Sequence, residues 1–493
     1  MAKKNGKAKR SKQRASGNGK TRFSYEAVDD SKKRRKPGQA VTQSEDVVLG
    51  QTNRRKLIGS VRDLRRNFSV VAWMIRRHLD YVASFRFQSR TGVDKIDRAI
   101  ERVMAREMRA DRVDVRGLFD LRKTIRMTEM ARTLDGDILH LLLSGRWRGL
   151  IQGVEGDRLR NPSGLKDKTD WFNGVRVDHW GRPLEFSIHK RVKGGSTLQF
   201  EKTVAAKHCI HHGYFDRYDQ VRGVSPLATA YANLQDVHEG ISYARLKAKV
   251  SQFFALVFMR DADEAGGDLD GGTTTDENGE EEEDKSGYHV DFGKGGQLVL
   301  DLNEGDKADF LESKQPSSEF SSFMEICLLL ALKALDLPYS FLREDFTNFF
   351  GSRGAWLLYD RSCDDKREDN RGWLDQWTAF KYRLLIADGR LSLPKVQGRQ
   401  LTVDDQPWEW VPRKMPWWKP VEEIKGNLLG IGGGLTTPQR VCRENDQGDW
   451  YENVDEIAKA LQYAGDKGVP VSFDPGANPP GRPGKDESGR GKE

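Results

Sequence analysis

The sequence predicts an α+β chain of several domains, built from long helices and small β elements. Three observations predict it. The chain has 493 residues, enough for about two to four ordinary domains. Apolar residues recur every three or four positions over 57–82, the period of an amphipathic helix, but alternate in short runs after residue 137, the period of strands. Helical spacing then resumes at Pro226 and continues to about Val250.

Taken in order, Leu57, Val61, Leu64, Phe68, Val71, Ile75, Leu79 and Val82 mark one helix, with Arg62, Arg65, Arg66, Arg76 and Arg77 on its solvated side. A second helix is predicted over Ile96–Met108 and a third from about Val115 to Thr133, broken by Asp135-Gly136-Asp137. Ile138–Leu143 and Leu150–Val154 read as strands around Ser144-Gly145, and Val175–Val177 and Leu184–His189 as a pair around Trp180-Gly181-Arg182-Pro183. Ser225 suits a helix cap and Pro226 the first helical position. Phe253–Met259 and Leu298–Leu302 read as strands of a small insertion, followed by an apolar helix over Phe323–Leu335. Residues 355–390, with Trp356, Trp373 and Trp377, then 419–431 and 452–464, complete the expected helices. The Pro/Gly-rich end, DPGANPPGRPGKDESGRGKE, predicts a disordered tail.

Apolar residues make up 37%, charged residues 32%, and mean hydropathy is −0.71; this composition suits a large soluble chain and argues against fibrous or membrane classes. The most apolar run, Ile326–Leu332, stops at Lys333, short of the roughly 20 residues of a membrane span. No apolar stretch follows the basic N-terminus, so no secretory signal is expected. Cys209, Cys327, Cys363 and Cys442 have no repeated spacing, which fits a reducing cytosol better than a disulfide framework.

Charge divides unevenly. Residues 1–56 carry 17 Lys/Arg against 5 Asp/Glu, so the net +8 of the chain leaves −4 for the rest. The arm (MAKKNGKAKRSKQR, then SKKRRKP) reads as disordered, with a nucleic-acid or capsid contact as the alternative. Asp261–Asp284 is the opposite, 12 acids and no base, and reads as a solvated flexible loop.

Catalytic patterns are missing. Gly19-Lys20-Thr21 resembles part of a phosphate loop, but Arg14 stands where that loop needs Gly. Gly432-Gly433-Gly434 follows a helical segment and reads as its terminus. His208, Cys209, His211 and His212 have metal-ligand types, yet strand alternation splits them between two faces and no second pair matches. Asp364-Asp365 and Asp404-Asp405 read as surface charge, and G-x-S-x-G is absent. No cofactor and no metal are expected, and an assembly component is favoured over an enzyme.

The sequence resembles the lambda-type portal proteins of tailed phages. The blocks that carry the resemblance are LIGSVRDLRRNFSVVAWMIRRHLDYVAS (57–84), DGDILHLL (135–142), IQGVEGDRLRNP (151–162), GVRVDHWGRPLEFSIHK (174–190) and HGYFDRYDQVRGVSPLA (212–228). Downstream, FMEICLLLALKALDLPYSFLREDFTNFFGSRGA (323–355) and PWWKPVEEIKGNLLGIGGGLTTPQRV (416–441) continue it in family order. Arg222, Gly223, Ser225, Pro226, Pro338, Tyr339, Ser352 and Arg353 are the motif positions. Phe349-Phe350-Gly351-Ser352 stands where the family has a Tyr-Ser-Ser-like element, and 261–284 looks like an insertion without a family role.

The resemblance implies a ring-forming fold of wing, stem, clip and crown, dodecameric at one capsid vertex. On it, 1–54 would be the disordered arm, 55–222 the wing, 223–250 and 318–336 the two stem helices, and 251–317 the clip. Residues 337–354 would hold the tunnel loop, 355–465 the return through wing into crown, and 466–493 the tail. It implies a virion protein assembled in the host cytoplasm, with no membrane. Its partners would be double-stranded DNA, the terminase large subunit, the major capsid or scaffolding protein and the head-tail connector. Arg343, Glu344, Asp345, Phe346, Thr347, Asn348, Phe349 and Phe350 are the channel candidates; Phe346, Phe349 and Phe350 serve equally well in a subunit interface. A body near −4 fits a conduit, since each neutralised phosphate would add affinity and slow sliding. Two rivals stay open, a DNA-processing phage nuclease and a basic-arm DNA-binding protein.

Overall fold

The computed structural model describes residues 43–145, 148–162, 170–192, 197–253, 256–259, 290–292, 298–300, 307–310, 318–344, 349–413, 419–445, 447–469 and 471. They form two compact units, Met1–Tyr231 with Leu332–Glu493, and Ala232–Ala331.

In the larger unit, helix begins earlier than expected. Both α1 (Glu45–Val48) and α2 (Gln51–Asn67) precede or span the expected arm boundary at residue 54, and they bury Asp46 and Arg54. These two side chains find partners some 170 residues away, which a charge count does not reveal. The rest of the expected arm, residues 1–42, lies outside the described residues. The single helix expected over 57–82 is two, because Phe68, itself buried, takes extended backbone between α2 and α3 (Ser69–Val82). Each half keeps its own buried stripe, so tertiary packing overrides the continuous period.

After β1 (Phe85–Ser89) come α4 (Asp94–Glu107), α5 (Ala110–Val113) and α6 (Leu121–Asp135). The third helix, expected from Val115, starts instead at Leu121. Asp120 caps it by accepting from Lys123 N at 2.7 Å, and the Asp114 carboxylate holds the preceding turn by accepting from Arg116 N and Leu118 N. Gly136 ends α6 at φ 93°, where a Cβ would lie 2.4 Å from Gly223 O. Left-handed strain and a backbone clash together make Gly136→Ala cost about 2–5 kcal/mol. Urea denaturation checks this; an unchanged midpoint would contradict it.

Strands β2 (Asp137–Leu143), β3 (Leu150–Glu155), β4 (Trp171–Phe172), β5 (Val175–Val177), β6 (Pro183–Arg191), β7 (Leu198–Ala205) and β8 (Cys209–Gly213) follow. They make two antiparallel sheets, β3-β2-β8 and β4-β5-β6-β7. Leu139, Leu141, Val154, Leu159, Val175, Val177, Phe186 and Ile188 form the core between them. Ser225 accepts from Leu227 N as a cap, but Pro226–Ala228 is a single 3-10 turn and the long helix starts later than expected.

That helix is α7 (Tyr231–Phe253), and with α8 (Ser318–Leu332) it makes the helical part of the smaller unit. A Cβ at Gly240 on α7 would lie 2.6 Å from Met324 Cε on α8, so the pair packs closely there. Between them, β9 (Leu256–Met259) pairs with β12 (Lys307–Phe310), and β10 (Val290–Phe292) with β11 (Leu298–Leu300). The acidic segment 261–284 lies outside the described residues.

The chain returns to the larger unit through a 3-10 turn, Lys333–Leu335, then α9 (Tyr339–Arg343) and the 39-residue α10 (Phe349–Ala387). Tyr359, Cys363, Trp373, Leu374, Trp377 and Tyr382 are its buried side. β13 (Lys395–Val396) and β14 (Arg399–Gln400) make a hairpin, and β15 (Trp408–Pro412) pairs antiparallel with β1. Last come α11 (Pro420–Gly432), α12 (Pro438–Glu444) and α13 (Trp450–Asp466). Among the described residues no helix is long and apolar enough to cross a membrane.

Candidate functional site

Two arrangements in the larger unit bear on function: a buried polar hub just before α7, and the segment between α8 and α10. At the hub, Arg222 is fully buried. Its guanidinium donates to Asp137 through Nε (2.6 Å) and Nη2 (2.8 Å), to Gly156 O at 2.8 Å, to Leu159 O at 3.4 Å, and to Asn173 O. Gly223 N also donates to Asp137, and Gly223 O accepts from Arg54 Nη2 at 2.7 Å. Asp46 accepts from the backbone N–H groups of Val221 and Arg222. Ser225 Oγ donates to Thr133 O at 2.6 Å. Burial alone would raise the Asp137 carboxyl, but Arg222, with His211 and Arg54, holds it well below the usual carboxylate range. Burial, with the nearby Arg222 charge, lowers Arg54 to about 10. The hub ties α1, α2, the start of β2 and the loops after β3 and β4 to one short peptide, Val221–Pro226.

Of the hub, the sequence motif contained Arg222, Gly223, Ser225 and Pro226, and the structure brings them together. Their partners Asp46 and Arg54 lie outside the resembling blocks, and Asp137 lies inside DGDILHLL without being singled out. The available signal was Asp137 itself, an acid opening a strand whose other residues, His140 apart, are apolar.

In the second segment, Asp336 turns the chain at φ 60°, with its carboxylate accepting from Lys366 Nζ at 2.7 Å. Pro338 precedes α9, whose Phe341 lies against Tyr81 of α3 and Tyr359 of α10, with ring centroids at 6.1 and 5.6 Å. Arg343 covers the Tyr339 ring at 5.7 Å. Glu344 ends α9 at φ 53°, and both Arg343 and Glu344 are exposed. Asp345, Phe346, Thr347 and Asn348 lie outside the described residues, and Phe349 opens α10. Phe350 is 83% exposed, whereas Ser352 is buried and Arg353 pairs with Glu423 of α11 at 3.3 Å. So α9 is anchored by aromatic contacts while its end and Phe350 of α10 face outward.

The histidine cluster separates as alternation requires. His211 meets Asp137 at 3.2 Å, while His212 lies buried near Trp373 and His208 sits in an exposed 3-10 turn. Burial pushes the Cys209 thiol up to about 12. Among the described residues no three His, Cys, Asp or Glu side chains are grouped to hold a metal. Asp364 accepts from Arg367, Asp404 from Arg383, and Asp405 from Thr402 and Arg399, so these carboxylates are engaged in the scaffold.

Comparison with known proteins gives three findings. A family model described as phage portal protein, lambda family, matches residues 32–367. Among curated proteins nothing matches. Among solved structures, a chain of the virion of the native gene transfer agent particle is 12% identical, covering 78% of this chain and 93% of that one at a TM-score of 0.43. A chain of the neck of the same native particle, computed with C12 symmetry, is 14% identical with the same coverage and a TM-score of 0.41.

Proposed function

Because the chain belongs to the lambda family of phage portal proteins, its role is that of a portal, and we propose the form that role takes. Copies close into a ring of about a dozen subunits by head-to-tail contacts, at the capsid vertex of the virion. Double-stranded DNA passes through the centre during packaging and ejection. The chain has no catalysis of its own; terminase large subunit, capsid or scaffolding protein and the head-tail connector dock on it. Residues 55–222 would serve as wing, 223–250 and 318–336 as stem, 251–317 as clip, 337–354 as tunnel loop and 355–465 as wing return and crown. Arg343–Phe350 would face the DNA.

The observation that carries the ring is α8. Its first half carries Ser318, Glu319, Ser321, Ser322 and Glu325, but its second half, ICLLLAL, is apolar on every side, and within one chain only Met324, Cys327, Ala331 and Leu332 of α8 are buried. Phe323, Ile326, Leu329 and Leu330 remain 42–58% exposed. A helix apolar all round belongs inside an assembly, and a neighbouring copy supplies the missing cover.

Mass photometry of the purified protein, with negative-stain class averages, is expected to show rings with a central hole and the mass of about a dozen chains. Ile326→Glu with Leu330→Glu, both solvent-facing in the single chain, is expected to shift that mass to monomers. A wild-type population of monomers at all salt and protein concentrations counts against the ring, as does a double variant that still assembles.

A further inference from the structure

We propose that the junction of α4 and α6 is a second contact for the phosphate backbone of duplex DNA, separate from the 343–350 segment and built from Arg102, Arg106, Arg109, Arg122 and Lys123. The choice of duplex DNA as the polyanion rests on the portal reading. All five side chains are exposed. The backbone brings them together, since Leu121 N donates to Met108 O at 2.9 Å and ties the end of α4 to the first turn of α6.

Three features set this patch apart from an ordinary solvated face. First, none of the five forms a salt bridge among the described residues, although Arg98, Arg126 and Arg390 around them pair with Asp455, Asp80 and Glu107. Second, the carboxylates close by are committed elsewhere. Asp114 and Asp120 accept from backbone N–H groups, Glu107 takes Lys381 and Arg390, and Asp111 takes Arg112. Third, the placement gains little for folding. Arg102 and Arg106 are like charges one helical turn apart, though Arg106 also lies in the last turn of α4, where the helix dipole favours it. Arg122 and Lys123 lie in the first turn of α6, whose positive end disfavours them, and the acid there, Asp120, is engaged as the cap.

Spacing and composition favour phosphate over a protein partner. Arg102 and Arg106 stand about 6 Å apart along α4, and Arg109 follows just past its end, a span on the order of the spacing of two to three phosphates of one strand. Among the described residues the exposed large apolar side chain nearest in sequence is Leu118, in the turn before α6, whereas the centre of a protein interface is depleted in charge and enriched in aromatics.

The test is fluorescence anisotropy of a labelled random-sequence duplex against full-length protein, from 50 to 200 mM salt. Three chains are compared: wild type, Arg102→Ala/Arg106→Ala/Arg109→Ala, and the same positions changed to Lys. The N-terminal arm is present in all three and cancels. The alanine variant is expected to lose about 2–3 from the slope of log affinity against log salt, and on the order of 100-fold in affinity at 0.1 M salt. The lysine variant, which keeps the charges, should hold the wild-type slope. Equal slopes and affinities for wild type and alanine variant would overturn the proposal. So would equal DNA binding combined with loss of binding to a poly-glutamate peptide, which would make the patch a docking site for acidic protein. Particle mass, measured on the same samples, tests the ring separately: a loss of DNA slope in an intact ring supports the patch, and a wild type that never forms rings counts against the portal reading alone.

Discussion

Arg222→Ala is expected to destabilise the larger unit by about 3–5 kcal/mol, the cost of leaving one member of a buried ion pair without its partner. Asp137 is fully buried beneath the guanidinium, and its low pKa means that it stays charged at neutral pH. The truncation also removes the guanidinium donors from Gly156 O, Leu159 O and Asn173 O, of which Gly156 O keeps a bond from Leu159 N. A domain holds only about 5–15 kcal/mol in total, so the variant should keep only part of its stability and unfold at a clearly lower urea concentration. Arg222→Lys separates charge from shape: an ammonium reaches Asp137 but lacks the planar fork that serves the carboxylate and three carbonyls together. Its loss should fall between wild type and alanine. Urea denaturation of the three chains decides the matter, and an alanine variant within about 1 kcal/mol of wild type would show that the hub does not carry the peptide leading into α7.

Much of this fold was legible from local patterns. The β2–β3 hairpin and the β5–β6 pair were readable because alternation and Gly-containing turns lie within a few residues of each other. What was not legible depends on distance. β1 pairs with β15 across more than 300 residues, and neither five-residue strand announces a partner. β7, LQFEKTVA, is an edge strand with polar residues on both faces, so its pattern is weak. The break at Phe68 follows from packing that the periodicity of either flanking helix does not encode. At the site, both Arg222 and Asp137 lie in resembling blocks, but nothing in the sequence shows that the two pair across 85 residues. The channel candidates were found by family resemblance alone; the structure places Arg343, Glu344 and Phe350 at the surface and leaves their role to experiment.

Between pH 7 and pH 4, wild type is expected to lose about 3 kcal/mol relative to His140→Phe. His140 is buried among Thr128 of α6, Trp373 of α10 and the neighbouring ring of His212 on β8. Its Nε2 meets Thr128 Oγ1 at 2.9 Å, and among the described residues its Nδ1 has no hydrogen-bond partner and no carboxylate shifts it. Burial therefore acts alone and brings its pKa from 6.5 to about 4. Unfolded chain takes up the proton near 6.5 and folded chain only near 4, so between these values the unfolded state binds more protons. Stability from this residue is complete above pH 6.5 and gone at about pH 4, and about 2.5 pH units correspond to about 3 kcal/mol. The comparison with phenylalanine is needed because other groups titrate in the same window. Burial also lowers His78, which faces Glu129, Lys366 and Arg132, and His212, which faces Arg132 and Glu129. Asp135 works the other way: burial against Arg62 raises it to about 6, so its protonation favours the folded state as pH falls. His78 and Asp135 are common to both chains and cancel in the difference, whereas His212 is lowered in part by a charge on His140, so the difference reads the two coupled rings together. Chemical denaturation of the two proteins at pH 7, 5.5 and 4 gives the result, and a stability gap that does not move with pH would mean that His140 is not held neutral by the core.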